Sequence, residues 1–582
     1  MSTDSDEPGK EASVPIGRVR FARRTDPWVF GITAIGSVAF VVWGIVDQAG
    51  LASAASAAQR WVIVDTGWLF VLAATFFVGY VLWLAIGRYG RIPLGEDGEQ
   101  PEFRTVSWIA MMFSAGMGIG LMFWGVAEPL KHFVEPPPNT VAPNSPEAAR
   151  VAMATTLFHW TLHPWAIYAV AGLAIAYSTF RRGRSQLISS VFRPLLGRHS
   201  NGPVGKAIDM MAIFATLFGS AASLGLGALQ IGSGLEFNGW SDAIGKLGLV
   251  VIIAGLTLAF IVSAVSGIER GIQWLSNINM VLALLLALFV FVAGPTLVML
   301  DFLPAAIGDY LGDLHTMASR TGVSGEAETQ RWLSTWTIFY WAWWISWTPF
   351  VGMFIARISR GRTIRQFVTG VLLVPSLVSL VWFVIFGGAG IRQQAETGDL
   401  TEPDGTVNED FALFHLLDHY PIATVTTVLV MVLVGIFFVS GADAASIVMG
   451  TLSERGSIEP SRTTVAFWGV ATGAVAAIML VIADSADLAG ALTGLQALTT
   501  VVSLPFLIVM GAMCVALYRD LRADPMIRRR LRAVELVEDA VAHGTVRHRG
   551  EFALVTEPVD GTVAKPSAET GRDLGDQAPR PR

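Results

Sequence analysis

Charged side chains are scarce in this sequence. Asp, Glu, Lys and Arg together make up 15% of the 582 residues, whereas soluble domains carry about 25%, and the mean hydropathy is +0.55. A water-soluble chain of this length neither needs nor tolerates so apolar a balance. The composition therefore excludes a soluble globular protein and predicts a membrane protein. The net charge of −6 indicates no particular partner, because it averages regions of opposite sign.

Features of several other protein classes are also missing. The one cysteine, Cys514, lies in a hydrophobic segment, which excludes an intramolecular disulfide. No basic stripe predicts nucleic-acid binding, and no metal-ligand spacing, nucleophile elbow or phosphate loop predicts an enzyme. The N-terminal segment Met1–Ala12 is polar and acidic rather than apolar, so we do not expect a cleaved signal peptide.

Long apolar segments are abundant. A helix needs roughly 20 apolar residues to cross the hydrocarbon core, and about twelve segments meet this length. They are Trp28–Val46, Val62–Ile86, Ser107–Val126, Ala149–Tyr177, Ile208–Leu235, Leu249–Ser266, Gln273–Leu300, Trp332–Ile355, Val368–Phe386, Ala423–Gly450, Val465–Ile482 and Ala491–Leu517. The sequence thus predicts an all-α polytopic membrane protein with about 12 transmembrane helices.

Arginine collects in alternate loops between these segments. Four arginines precede the first span, five follow the fourth and four follow the eighth, whereas the loops at 301–330 and 388–420 are dominated by Asp and Glu. Cytoplasmic loops near span ends hold an excess of Lys and Arg. The pattern predicts a multi-pass protein of the inner cell membrane with both termini in the cytoplasm.

The two ends of the chain are polar. We interpret residues 1–27 as an N-terminal cytoplasmic tail, 28–517 as the transmembrane domain and 518–582 as a C-terminal cytoplasmic tail. This tail is helix-compatible and basic from Tyr518 to about Val541, whereas Glu557–Arg582 is rich in Pro, Gly and Asp, which is typical of disorder. A basic helix can lie on anionic membrane lipid at roughly 1 kcal/mol per cation, or it can serve only to retain the topology.

Two predicted spans contain residues that interrupt a plain apolar helix. The third carries three glycines within Gly116–Gly120, which weaken the helix and bare its backbone. The eighth carries Pro349, which removes a helical hydrogen bond, and Gly352. Irregular backbone at membrane depth must be buried in protein or line a cavity, and paired interruptions mark the substrate site of inverted-repeat transporters. We therefore predict two repeats, about 105–300 and 330–517, preceded by two extra helices.

Aromatic residues cluster near these interruptions. On a helix, Trp343 and Trp347 share a face with Trp344 at its flank, and Trp165 and Tyr168 of span four stand three residues apart. Indole faces attract a desolvated cation by up to about 2 kcal/mol or more. They suit a quaternary ammonium, which cannot donate hydrogen bonds and so does not need a carboxylate. An interfacial aromatic belt is the alternative, but these tryptophans lie near the middle of span eight, which favours a box for a cation.

Four features resemble signatures of the betaine/choline/carnitine transporter family. They are Met112–Leu130 (MFSAGMGIGLMFWGVAEPL), Trp341–Arg357 (WAWWISWTPFVGMFIAR), Phe437–Gly450 (FFVSGADAASIVMG) and the spacing of Trp160, Trp165 and Tyr168. The resemblance covers about residues 28–517. It implies a leucine-transporter-like fold with a 5+5 inverted repeat, a homotrimer, and alternating access to a central site for a small betaine-like molecule.

The resemblance also implies which residues bind the substrate. The aromatic box and its entry path would be formed by Trp160, Trp165, Tyr168, Trp343, Trp344 and Trp347, beside the flexible segment with Gly116, Met117, Gly118 and Gly120. Gly120 resembles the glycine-betaine type, since choline carriers often have Asp at this position. This implies a zwitterion whose carboxylate meets exposed backbone amides or a bound cation.

Sodium is the coupling ion that the resemblance implies, and no other cofactor is expected. The candidate ligands carry a hydroxyl or a main-chain carbonyl at two positions: Thr216, Ser220 and Phe350 at the first, and Ser114, Met117, Phe437 and Ser440 at the second. The second position is less complete, because Gly441 stands where the family has another hydroxyl. We predict sodium symport in osmoprotection. Proton-coupled choline transport and carnitine/betaine exchange are alternatives within the class, and an osmosensor that moves no solute is an alternative outside it.

Ionisable groups within the spans are costly in lipid and need separate interpretation. His159 and His163 flank the first tryptophan of span four, and we expect polar packing from them, or a proton route if sodium is not used. Asp443 is expected to brace span ten through hydrogen bonds. The pair Glu128-Pro129 is expected to end span three at the outer surface.

Overall fold

The described part of the chain is helical. The computed structural model describes residues 25–116, 118–266, 269–325, 327–482 and 488–555. Within these ranges the sole extended pairing is an isolated bridge between Pro93 and Thr363. The described residues fall into two units that divide between Leu521 and Arg522. The predicted all-α class is confirmed.

Nineteen α-helices follow one another in these ranges. They are α1 (Pro27–Val46), α2 (Gln48–Ile86), α3 (Thr105–Gly116), α4 (Ile119–Val134), α5 (Pro146–Trp160), α6 (Leu162–Ala176), α7 (Arg193–Leu196), α8 (Pro203–Phe237), α9 (Lys246–Ser266), α10 (Glu269–Ala293), α11 (Thr296–Ser319), α12 (Ala327–Leu333), α13 (Phe339–Ile358), α14 (Ile364–Thr397), α15 (Ala412–Asp418), α16 (Ala423–Ser453), α17 (Arg462–Val481), α18 (Leu488–Arg522) and α19 (Pro525–His548). A π turn, Ser334–Ile338, joins α12 to α13.

Eight helices of the described chain are long and apolar enough to cross a membrane: α1, α2, α8, α9, α14, α16, α17 and α18. A ninth span is formed if Asn277–Ala293 and Thr296–Ser319, which are bent by 109°, cross together. The predicted third and fourth spans are not among them, because each is divided into two helices of 12 to 16 residues. The protein is therefore polytopic, and its third and fourth predicted spans are broken helices.

Both broken spans are interrupted next to the predicted site. Between α3 and α4, Gly118 has an extended backbone with φ −165° and ψ −178°, which confirms the interruption predicted from the glycines. Between α5 and α6 the helix breaks at Thr161, where the sequence pattern predicted none. Pro164 explains this break, because its ring would clash with the carbonyl of Trp160 in a continuous helix.

The interruption predicted at Pro349 and Gly352 is wrong. α13 runs without a break through both residues. A Cβ on Gly352 would lie 3.1 Å from the Cβ of Ala171, so this glycine allows α13 and α6 to approach closely. The two repeats, about 105–300 and 330–517, stay a prediction.

α13 is central to the first unit. It packs against α6 and α8, and α4 packs against α5 and α14. Tyr340, Trp341 and Trp343 of α13 are fully buried. By contrast, α1 and α10 expose large apolar side chains such as Trp28 and Leu284, as helices that face lipid do. The helices that carry the predicted site therefore form the core.

The segment between α14 and α16 is held by an ion pair, in which Nε2 of His419 lies 2.8 Å from Oδ2 of Asp399. Burial alone would lower the pKa of His419, but the hydrogen bond and charge of Asp399 outweigh it and raise that pKa. Burial alone would raise the pKa of Asp399, but hydrogen bonds from Thr397 and His419 lower it. Both side chains are partly exposed, at 30% for His419 and 46% for Asp399, so solvent screens the pair.

The second unit contains the predicted basic tail helix. α19 begins at Pro525, and Asp524 caps it by accepting a hydrogen bond of 2.9 Å from the backbone N–H of Met526. The helix ends at His548, beyond the predicted end near Val541. The stretch predicted as disordered, Glu557–Arg582, lies outside the described residues, as do residues 1–24.

Candidate substrate site

All six predicted box residues line one cavity, which encloses about 470 Å³. Its walls are Gly118, Gly120, Leu121, Trp160, Pro164, Trp165, Tyr168, Trp343, Trp344, Trp347 and Ser379. These residues come from α4, α5, α6, α13 and α14 and from the break before α4. Gly116 and Met117 lie outside the residues whose surroundings the structure describes. No carboxylate or basic side chain is among the described residues that line this cavity.

The rings meet at several angles. Trp343 and Trp344 are stacked, with centroids 4.8 Å apart and planes inclined by 12°. Trp160 meets Trp344 edge to face at 5.0 Å, and Trp165 meets Tyr168 in the same way at 5.4 Å. Edge-to-face contacts are favourable because the positive edge of one ring approaches the negative face of another. Walls built in this way can present ring faces to a cation from more than one direction.

The indole N–H groups of four box residues are committed to the protein. Trp160 donates to Oε2 of Glu128 at 2.6 Å, Trp343 to Oγ of Ser223 at 3.1 Å, Trp344 to the carbonyl of His159 at 3.0 Å and Trp347 to the carbonyl of Gly219 at 2.9 Å. These bonds fix the ring planes. They also leave ring faces rather than N–H donors for a ligand, which is the surface that attracts a cation.

Gly120 is the point of closest approach between the backbone and the rings. A Cβ at this position would lie 2.8 Å from Cη2 of Trp160 and 2.9 Å from Cη2 of Trp343. Ordinary carbon contacts are about 3.5–4.0 Å. The box therefore requires glycine here, which gives a physical reason for the residue that the family resemblance singled out.

A second cavity of about 1180 Å³ lies beyond Trp347, which lines both. Four of the predicted sodium ligands, Ser220, Phe350, Phe437 and Ser440, are brought together around it. Thr216 is buried one turn before Ser220 on α8 and donates its hydroxyl to the carbonyl of Ala212 at 2.9 Å. Ser114 and Met117 lie outside the residues whose side chains the structure describes. These residues carry hydroxyl or main-chain carbonyl oxygens, which are the type of ligand that a hard cation takes.

Comparison with known proteins decides the family. The sequence model of the betaine/carnitine/choline family transporters, BCCT, matches residues 28–526. The chain belongs to this family. It is therefore a multi-pass membrane transporter and not an enzyme.

Relatives in this family are similar over most of their length. The betaine/ectoine transporter LcoP of Corynebacterium glutamicum is 43% identical over 568 residues, which cover 98% of this chain and 88% of the relative. The glycine betaine transporter OpuD of Bacillus subtilis is 42% identical over 513 residues, covering 88% and 96%. Glycine betaine transporter 1 of Vibrio parahaemolyticus is 40% identical over 500 residues, covering 85% and 94%.

One expectation for this BCCT chain, that Glu128-Pro129 ends a span at the outer surface, is wrong. α4 continues through Pro129 to Val134, and Glu128 is fully buried. Its carboxylate meets four side chains: Nδ1 of His159 at 2.7 Å, Nε1 of Trp160 at 2.6 Å, the hydroxyl of Tyr340 at 2.5 Å and Nε2 of His132 at 3.5 Å. An acidic group thus lies one hydrogen bond behind the wall of the substrate cavity.

Two other buried ionisable residues also differ from expectation, whereas His159 makes the polar contacts that were expected of it. His163 packs through its ring, which stacks on Trp341 at 5.2 Å, and neither of its ring nitrogens has a hydrogen-bond partner among the described residues. Asp443 lines the second cavity, and its carboxylate has no hydrogen bond to the described part of the protein. The predictions that His163 makes polar contacts and that Asp443 braces its helix are therefore wrong.

Sequence reasoning missed two residues. Glu128 was assigned to the surface, although His132 four residues later on the same helix face was a signal of a buried polar pair. Asn279 on α10 lines the second cavity with its amide buried and unpartnered among the described residues. No motif around Asn279 predicted this position.

Proposed function

We propose that this BCCT transporter is a secondary active importer of a quaternary-ammonium compatible solute, glycine betaine or a close analogue. One observation carries the proposal: six aromatic side chains enclose a cavity in which no described side chain is charged. A trimethylammonium group cannot donate hydrogen bonds, and ring faces attract its spread charge without the desolvation cost of a buried carboxylate.

A zwitterion fits this cavity better than a simple cation. The phenol O–H of Tyr168 is buried and has no partner among the described residues, and the first turn of α4 contributes Gly120 and Leu121 to the wall. A helix N-terminus favours a negative group, because its first N–H groups point outward and the helix dipole is positive there. These groups support recognition of the substrate carboxylate, which choline lacks.

Sodium symport is the coupling that we propose. It is supported by the oxygen-bearing residues Ser220 and Ser440 around the second cavity and by the absence of Lys and Arg from Ile208–Leu235 of α8, which leaves no built-in cation to replace sodium. Proton-coupled choline transport is the alternative. Import for osmoprotection, a homotrimer, and an inner-membrane orientation with cytoplasmic termini complete the proposal and are supported by the family and by the arginine-rich loops.

The test is uptake into proteoliposomes of labelled glycine betaine, choline, carnitine and ectoine, each with and without a sodium gradient. We expect glycine betaine uptake that requires sodium. Trp344→Leu is expected to abolish it, because a leucine has no ring face for the cation. Trp28→Leu is the matched control, since Trp28 is 65% exposed on α1 and lies outside the cavity. Full uptake by Trp344→Leu would refute the aromatic site, and uptake that persists without sodium would refute the coupling alone.

A further inference from the structure

We propose that Glu128, His159 and His132 form a proton-binding site behind the substrate cavity, and that a bound proton weakens the attraction of the cavity for the quaternary ammonium group of the substrate. All three side chains are fully buried. Glu128 and His132 stand four residues apart on α4, and His159 comes from α5. Ionisable groups at membrane depth are costly, and such clusters mark proton or ion sites.

The contact between His159 and Glu128 has the length of a hydrogen bond. Nδ1 of His159 lies 2.7 Å from Oε1 of Glu128, whereas two ligands of one tetrahedral zinc ion stand about 3.3 Å apart, given bonds of about 2.0 Å. The geometry therefore favours a hydrogen bond over a metal bridge. Nε2 of His159 lies 3.0 Å from the hydroxyl of Thr337, so a protonated imidazole would donate to the carboxylate and to this hydroxyl at once.

A proton enters this cluster at Nε2 of His159, where it reverses the direction of the hydrogen bond with Thr337 and leaves the contacts with Glu128 in place. With neutral histidines, the ionised Glu128 gives the cluster one negative charge in a low-dielectric interior. One added proton converts His159 to imidazolium and makes the cluster neutral, which removes the cost of an unpaired buried charge. His132 offers a second position, because its Nε2 is 3.5 Å from Glu128 and neither ring nitrogen has a good hydrogen bond among the described residues.

The charged and titratable groups that face the cluster come from several elements. They are His163 on α6, Tyr340 on α13 and Arg320 between α11 and α12. Arg320 stacks its guanidinium over the ring of Trp332 at 5.2 Å, and that ring is 5.7 Å from the ring of His132. Its positive charge opposes protonation of the histidines, so the cluster can give up its proton as well as hold it.

Trp160 connects the cluster to the substrate. Its N–H donates to Oε2 of Glu128 at 2.6 Å, and its ring forms part of the cavity wall. A negative charge at Glu128 therefore lies one indole behind the cation. At an effective dielectric of about 20, removing a charge that lies one indole ring away weakens cation binding on the order of tenfold. By linkage, a bound cation weakens proton binding by the same factor.

This inference rests on the proposed function, because it requires a substrate whose quaternary ammonium group lies in the aromatic cavity. The experiment measures the Kd of glycine betaine for the purified full-length transporter from mildly acidic to mildly alkaline pH. We expect the wild-type Kd to fall on the order of tenfold as pH rises. Glu128→Gln is expected to bind weakly at every pH, near the acidic wild-type value. If Glu128→Gln does not fold, the double variant His159→Gln with His132→Gln is expected to lose the pH dependence instead, because it lacks both imidazoles of the cluster.

The matched control is Asp209→Asn, which removes a different buried carboxylate, bound by Ser189 at 2.7 Å, and should keep the wild-type pH profile. A wild-type Kd that does not change with pH, or a wild-type profile retained in Glu128→Gln, would overturn the proton site. If the wild type binds no glycine betaine at any pH, the proposed function fails. The proton site is then tested in the substrate-free protein by infrared difference spectra between acidic and alkaline pH. Carboxyl and imidazole bands seen for the wild type must be missing for Glu128→Gln, and identical spectra for the two proteins would overturn the proton site.

Discussion

A single methyl group at Gly120 provides a direct test of the aromatic cavity. In Gly120→Ala the new Cβ would lie 2.8 Å from Trp160 and 2.9 Å from Trp343, each measured to Cη2 of the indole. Both distances are roughly 0.7 Å shorter than a comfortable carbon contact. The two rings cannot both keep their positions, and they belong to the wall that would hold the cation.

The size of the effect follows from the cost of overpacking. Extra methyl groups in a packed interior cost about 1–3 kcal/mol, while Ala in place of Gly within a helix returns about 1 kcal/mol. The fold should therefore lose little stability, because the rings can shift into the cavity. Binding should then carry the cost, which corresponds to an affinity about 5 to 150 times weaker.

The assay is equilibrium binding of glycine betaine, followed by tryptophan fluorescence, together with the thermal unfolding temperature of the purified protein. Gly79→Ala on α2 is the matched control, since no atom lies within 4 Å of its added Cβ, and it should bind like the wild type. An affinity of Gly120→Ala within about twofold of wild type would refute the view that the indole tips form a rigid wall, because such overpacking cannot be free.

Three further predictions concern other parts of the molecule. His419→Gln should lower the free energy of unfolding by at most about 1 kcal/mol between about pH 4 and pH 6.5. This difference from the wild type should vanish as pH rises through the raised pKa of His419 or falls through the lowered pKa of Asp399. Thermal unfolding measured across this pH range checks the prediction. Gly352→Leu should lower the unfolding temperature and abolish uptake, because its Cβ would already lie 3.1 Å from Ala171. Tyr168→Phe should weaken binding of glycine betaine by about 1 kcal/mol, roughly fivefold, and leave choline binding unchanged.

Each of these has an outcome that would contradict it. A pH-independent stability difference for His419→Gln would mean that the ion pair with Asp399 does not form. Wild-type uptake by Gly352→Leu would mean that α6 and α13 need not approach closely. Equal losses of glycine betaine and choline binding in Tyr168→Phe would mean that the phenol supports the ring wall rather than the carboxylate.

The aromatic site could be predicted from the sequence because its signal is local. Trp343, Trp344 and Trp347 occur within five residues of one apolar segment, and the helical repeat alone places them together. The break at Gly118 was similarly predictable, since three glycines within five residues weaken a helix wherever they occur. The cavity confirms that both groups of residues meet.

The remaining features depend on contacts between distant segments. Tyr340 lies 212 residues from Glu128 in the chain, so no local pattern shows that this carboxylate is buried and bonded. Proline is a helix breaker on average, yet α13 is held on several sides and accommodates Pro349. Gly352 was interpreted as a weak point, whereas its small size is what close packing against Ala171 requires.

The anchoring of the indole N–H groups has a consequence for selectivity. A lysine-like ammonium donates three hydrogen bonds to water, and ring faces cannot fully replace them when the group enters the cavity. A quaternary nitrogen donates no hydrogen bonds to water, so it loses none. The indole N–H groups of the four tryptophans already donate to Glu128, Ser223 and main-chain carbonyls, so none is left for a ligand. The aromatic cavity would then distinguish a compatible solute from an ordinary amino acid by the number of methyl groups on the nitrogen rather than by its charge.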